Sequence, residues 1–187
     1  MTNMKKYLGI VLMAIVAFSS CKDDGTTPEP KEEAPTNTTL LTDAEWEMTE
    51  GTIVPSIDVE VVPGTVITVN NYWDLLSYVG GGGVLTCDKD NRMICSTDSS
   101  VVLDEGPTKC DMGDPQTTDG GLWHFEENET KVNFSSFPMD PTGEPRIMDV
   151  DELTKTNLTL TMIYIFDNPI SGMKTNHDIV MKYSNMK

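Results

Sequence analysis

The chain has 187 residues, with 13 Lys and Arg against 30 Asp and Glu and a formal net charge of −17. That length supports one domain with a sizeable core. The charge excludes nucleic acid as a partner, because phosphate binding needs a basic footprint, and it disfavours adsorption of the folded domain on anionic lipid.

Lys5 and Lys6 precede an unbroken apolar stretch over residues 7–18, YLGIVLMAIVAF. As a helix this stretch spans about 18 Å, too short for a hydrocarbon core of about 30 Å. The basic start, short apolar run and small residues Ser19 and Ser20 predict a cleaved signal over residues 1–20. Phe18-Ser19-Ser20-Cys21 resembles the lipobox of bacterial lipoproteins, with Phe18 where that motif usually has Leu. The resemblance implies that Cys21 becomes the acylated N-terminus, with palmitate among its chains, and that outer-membrane lipid is a partner through it. The plainer alternative is an ordinary secretory signal with an incidental cysteine.

Cys21-Lys22-Asp23-Asp24 is similar to the basic-then-acidic export signal of surface lipoproteins in some Gram-negative bacteria, which implies a cell-surface location. A solvated charge cluster at the head of a linker is the alternative. Residues 21–39 hold three prolines and no large apolar side chain. They predict an extended tether between the lipid and the domain at 40–187.

From residue 40 onward Thr, Val and Ile are frequent and turn residues recur at short spacing, the pattern of short strands. Expected strands cover 45–54, 66–69, 92–96, 101–104, 122–126, 130–134, 146–153, 157–166 and 178–184. The clearest, 157–166, carries Leu158, Leu160, Met162, Tyr164 and Phe166 on one face; Ile179, Met181 and Tyr183 alternate in the same way. Residues 55–63 lie between two prolines and are read as an edge or a loop. Residues 72–79 (YWDLLSYV) are the one expected helix, capped by Asn70 or Asn71 and ended by the glycines at 80–83. The pattern predicts an all-β, antiparallel up-and-down barrel or half-open sandwich of about eight strands, because closure removes exposed edges. Such a barrel is either filled by side chains or holds one small ligand.

With Cys21 taken by lipid, Cys87, Cys95 and Cys110 remain. An exported chain meets an oxidising compartment, so one disulfide and one leftover thiol are expected. Cys95 sits within a strand, where a buried apolar residue would serve. Cys87 and Cys110 flank the hairpin at 92–104, whose ends approach each other, so Cys87–Cys110 is the expected bridge. The three thiols lack the close spacing and nearby histidine of a zinc site.

Cys87-Asp88-Lys89-Asp90-Asn91, with Gly106, Cys110, Pro115-Gln116 and Trp123, resembles the lipocalin-like domain of bacterial lipoproteins. Leu40-Leu41-Thr42 followed by Trp46 is similar to its opening strand, and Glu152-Leu153 and Leu158-Thr159-Leu160 to later strands. The resemblance spans roughly residues 40–187. It implies the same barrel or half-open sandwich, a cysteine pair at Cys87 and Cys110, and no catalytic residues to carry over. Cys95 stands where the family has an aromatic residue, Asp43-Ala44-Glu45-Trp46 lacks the Gly-x-Trp of true lipocalins, and 54–68 reads as an insertion.

Asp88-Lys89-Asp90-Asn91 lacks the central glycine and distal glutamate of a calcium loop and is expected to be a turn. Asp111, Asp114 and Asp119 read as solvated loop carboxylates. The chain has neither a Gly-x-Ser-x-Gly elbow nor a phosphate loop, so no enzyme, cofactor or metal is expected. His124, between Trp123 and Phe125, faces away from both rings and is read as a surface residue or a pocket donor. His177, at a strand start, is expected to be exposed. Tyr72 and Trp73, beside the glycine run, are candidates for a lid or adhesive tip and, with His124, for ligand binding. Trp46 and Trp123 are expected in the core.

The function expected from these features is that of a surface lipoprotein whose barrel binds a small apolar ligand. The alternative is a non-enzymatic module that contacts glycans or proteins through its loops, around a filled core. An interior volume of about 300 Å³ or more separates the two.

Overall fold

The structure, a computed structural model, describes residues 34–62, 64–80, 86–137, 144–168 and 171–187. The expected signal, Cys21, the expected tether as far as residue 33 and the glycines at 81–83 lie outside the described residues. One compact unit covers Pro35–Lys187.

The chain order is α1 (Asn37–Thr42), β1 (Trp46–Val62), β2 (Thr65–Asn71), α2 (Tyr72–Gly80), a 3-10 turn (Thr86–Asp90), β3 (Arg92–Cys95), β4 (Ser100–Asp104), β5 (Thr117–Glu126), β6 (Lys131–Phe134), β7 (Arg146–Leu153), β8 (Asn157–Asp167) and β9 (Lys174–Asn185). From β3 to β9 each strand pairs antiparallel with the next. β1 closes the circle, running beside β9 from Trp46↔Asn185 to Val54↔Asp178 and meeting β3 at Trp46↔Met93 and Glu47↔Arg92. The result is a closed eight-stranded barrel with β2 as an additional strand on the far half of β1.

Two-residue periodicity decides what fills the barrel. Leu158, Leu160, Met162 and Phe166 of β8 and Ile179, Met181 and Tyr183 of β9 are all buried, as are Trp46 and Met48 of β1, Met93, Phe134 and Met148. They belong to one contiguous apolar cluster. Trp46 and Trp123 are in it, as expected, and each indole N–H has a carbonyl acceptor: Leu41 at 3.0 Å and Ser96 at 3.0 Å.

The lower end of the barrel carries a helix that the sequence pattern had as tether and opening strand. Residues 37–39 and Leu40-Leu41-Thr42 form α1, because the Thr36 hydroxyl accepts from the Thr39 amide at 3.1 Å and caps the first turn. Burial of Leu41 against the core then outweighs the modest helix propensity of the threonines.

Of the two alternatives for residues 55–62, an edge or a loop, the structure shows the edge: they continue β1, pairing with β2 from Ile57↔Val69 to Val62↔Thr65, beyond the end of the ladder to β9. The alternation lapses over the exposed Val54, Pro55 and Ser56 and then resumes in the same phase, with Ile57 and Val59 buried and Asp58 exposed. The proline is tolerated because the β1–β9 ladder has already ended at Val54. β9 starts earlier than expected, at Lys174, and β5 at Thr117.

Cys87 and Cys110 are joined, with Cα atoms 5.3 Å apart, and Cys95 is free and buried. Burial pushes the Cys95 thiol up to about 12. The block around Cys87 is a latch. The Asn91 amide, turned to donate, reaches the carbonyls of Cys87 (3.2 Å) and Glu105 (3.1 Å). Gly106 lies at φ +67° with the Asp90 carbonyl where a Cβ would stand, so glycine is required there. The Gln116 amide ties Asp104 (2.9 Å) to the Gly106 carbonyl (3.0 Å).

Candidate functional site

The site arises where two ladders end at different heights. β8 and β9 remain paired out to Asp167↔Lys174, whereas β1 leaves β9 after Val54↔Asp178 and turns to β2. The space between is a cleft of about 530 Å³ at the barrel mouth. Pro55, Ser56 and Asp58 line one side, Thr175, Asn176 and His177 the other, and Phe166, Asn168, Ser171 and Met173 complete it.

His177 is the residue that the sequence reading placed wrongly. It is 5% exposed, not free at a strand start. It shares the inward face of β9 with Ile179, Met181 and Tyr183, and that parity was readable in the sequence. Its Nδ1 lies 2.7 Å from the Pro55 carbonyl and its Nε2 2.6 Å from the Thr175 hydroxyl. A carbonyl only accepts, so Nδ1 carries a proton and donates to Pro55, while Nε2 and the Thr175 hydroxyl share the second hydrogen bond. The imidazole thus bridges β1 and β9 one step beyond the last backbone pair and holds the cleft walls at a set distance.

The rest of the rim is held in the same local fashion. The Asn168 side chain accepts from the Ser171 backbone amide (3.0 Å), and the Asn168 backbone amide donates to the Met173 carbonyl (2.9 Å), which ties the end of β8 to the residues before β9. Asp58 accepts from the Thr68 hydroxyl at 2.8 Å, which ties the opposite wall to β2. The lining combines hydroxyls and amides with the apolar surfaces of Phe166, Met173 and Pro55. The lining therefore sets hydrogen-bonding groups beside apolar surface, with both ring nitrogens of His177 engaged in the cleft wall.

The residues singled out in the sequence lie elsewhere. Tyr72 is 2% exposed and cannot be an adhesive tip, because its Cβ occupies the space above Gly51, where an added Cβ would stand 2.6 Å from it. Trp73 is half-buried against the core, and its amide donates to the Asn71 side chain at 2.8 Å, which identifies Asn71 as the cap. His124 is on the outer wall as its neighbours predicted, with 61% of its side chain exposed and Nε2 3.1 Å from Glu126. The Glu126 carboxyl is held below its usual range, first by the Asn133 amide and then by His124. None of the three lines the cleft. Among the described residues, Cys87, Asp88 and Cys110 are spaced closely enough for a metal, but the two sulfurs are tied in the disulfide.

No family model matches the chain, and no curated protein matches it.

Proposed function

We propose that this chain is a lipid-anchored surface lipoprotein of the lipocalin-like kind, a non-enzymatic module that binds a glycan at the barrel mouth. The observation that carries this reading is the contrast between interior and mouth. The inward positions are occupied by large side chains packed in one cluster, while an open cleft of about 530 Å³ lies above them. That arrangement favours contact through the rim over storage of an apolar molecule inside. Hydroxyl and amide groups beside apolar side chains suit a sugar, which presents hydroxyls on its edges and C–H groups on its faces. The anchor is supported by Lys5-Lys6, the short apolar stretch at 7–18 and Ser19-Ser20-Cys21.

Titration of the full chain in detergent against a glycan panel, followed by calorimetry, tests the reading. Saccharide binding that is lost in Asn176→Ala is the expected result. A protein that ignores every glycan yet carries a solvent-extractable apolar adduct in native mass spectrometry would replace it with the carrier reading. Cys21→Ser should release the protein from the membrane, and continued retention would refute the anchor.

A further inference from the structure

The charges around the mouth are one-sided. Among the described residues the cleft lining has one acid, Asp58, and neither Lys nor Arg. Asp167 and Lys174, the last pair of the β8–β9 ladder, stand at its edge and neutralise each other at 3.2 Å. Both ring nitrogens of His177 are taken up by the Pro55 carbonyl and the Thr175 hydroxyl, so the imidazole turns no N–H toward a ligand. The Asp58 carboxylate accepts from the Thr68 hydroxyl at 2.8 Å, a neutral donor that leaves its charge in place. Asp178, exposed and next to His177, adds the same sign on the opposite wall.

Building on the cleft as a glycan site, we propose that it takes saccharides without acidic groups and rejects those bearing carboxylate, sulfate or phosphate, with Asp58 setting the difference. An acidic sugar entering the cleft sheds water from its anion, meets no cation in exchange and stands near a like charge. A neutral sugar instead donates hydroxyls to Asp58, and a charged acceptor makes the stronger hydrogen bond. One side chain thus acts on both sides of the comparison, and specificity is the difference between two affinities. The acidity of the whole chain, −17, repels anions at long range as well, but salt screens that field beyond about 8 Å at physiological ionic strength. Asp58 acts at contact.

The test is calorimetry of the full chain in detergent with matched pairs of ligands: galacturonate oligomers as methyl ester and as free acid, and N-acetyllactosamine oligomers without and with terminal sialic acid. The neutral member of a pair should bind, and its acidic partner about tenfold or more weakly. Asp58→Asn keeps an oxygen for the Thr68 hydroxyl and removes the charge, and it should narrow that ratio about threefold or more. Glu152→Gln makes the same change of charge on β7, outside the cleft, and should leave the ratio as it was. An acidic member that binds as tightly as its neutral partner overturns the proposal and leaves the glycan reading standing. Equal narrowing by Asp58→Asn and Glu152→Gln overturns it too, because the discrimination then belongs to the net charge of the chain. No binding by either member of any pair overturns the glycan reading and the proposal together.

Discussion

The two halves of β1 do different work with one alternation pattern. From Trp46 to Val54 the strand lies beside β9 and buries Trp46, Met48 and Ile53 in the barrel. From Pro55 to Val62 it still buries Ile57 and Val59, but its neighbour is now β2 and its abandoned side opens onto the cleft. The first half closes a core and the second makes room for a site. Periodicity sets which face a residue takes; the identity of the neighbouring strand sets whether that face meets protein or solvent.

Substitutions that act on one half and spare the other sharpen this division. The largest effect is expected from Trp46→Ala, which empties a fully buried position and strands the Leu41 carbonyl under α1. A loss of about 3–5 kcal/mol in urea unfolding is expected, and a loss below about 1 kcal/mol would mean that the closed half is looser than described. Removing the Cys87–Cys110 bridge, with a sequence separation of 23, should cost about 3.5 kcal/mol by loop-closure entropy. Equal melting temperatures under oxidising and reducing conditions would count against it.

His177→Ala removes two hydrogen bonds at the mouth and should lower stability by about 1–3 kcal/mol. Its larger consequence is local: amide hydrogen exchange in the first residues of β9 should quicken while that around Met181 stays slow. Uniform acceleration along β9 would erase the distinction between mouth and core. At neutral pH the smallest effect is that of Cys95, whose thiol burial raises from 9.0 to about 12. Below pH 9.0 both folded and unfolded chains keep the proton, so stability there is unaffected. Between pH 9.0 and about 12 the unfolded chain releases it first, so stability falls as pH rises. Cys95→Ala should flatten that slope, and an unchanged slope would assign it to other groups.

Much of the wall was legible in the sequence. The alternation at 157–166 identified the inward face of β8, and the strand at 146–153 coincides with β7. The thiols flanking the 92–104 hairpin pointed to the observed bridge, and YWDLLSYV to α2. The misreadings cluster where a local signal competes with a distant one. Pro55 reads as a break until it is known that β9 no longer needs its N–H. Thr36 to Thr42 read as tether and strand until Leu41 finds the barrel floor. His177 reads as a strand-start polar residue until the Pro55 carbonyl, far away in sequence, is placed beside it. Tyr72, beside a glycine run, reads as a tip until Gly51 leaves the hollow that receives it.

Composition, periodicity and spacing by themselves determined the all-β class, the approximate strand set and the acidity of the chain, and the flanks of one hairpin pointed to the pairing of two cysteines. Each of these depends on residues a few positions apart or on sums over the chain. Only the tertiary structure decided that the barrel is closed by β1 against β9, that α1 caps its lower end, and that a cleft bridged by His177 opens at the other. Those depend on where one ladder stops relative to another, a relation between segments more than a hundred residues apart, on which local spacing carries no information.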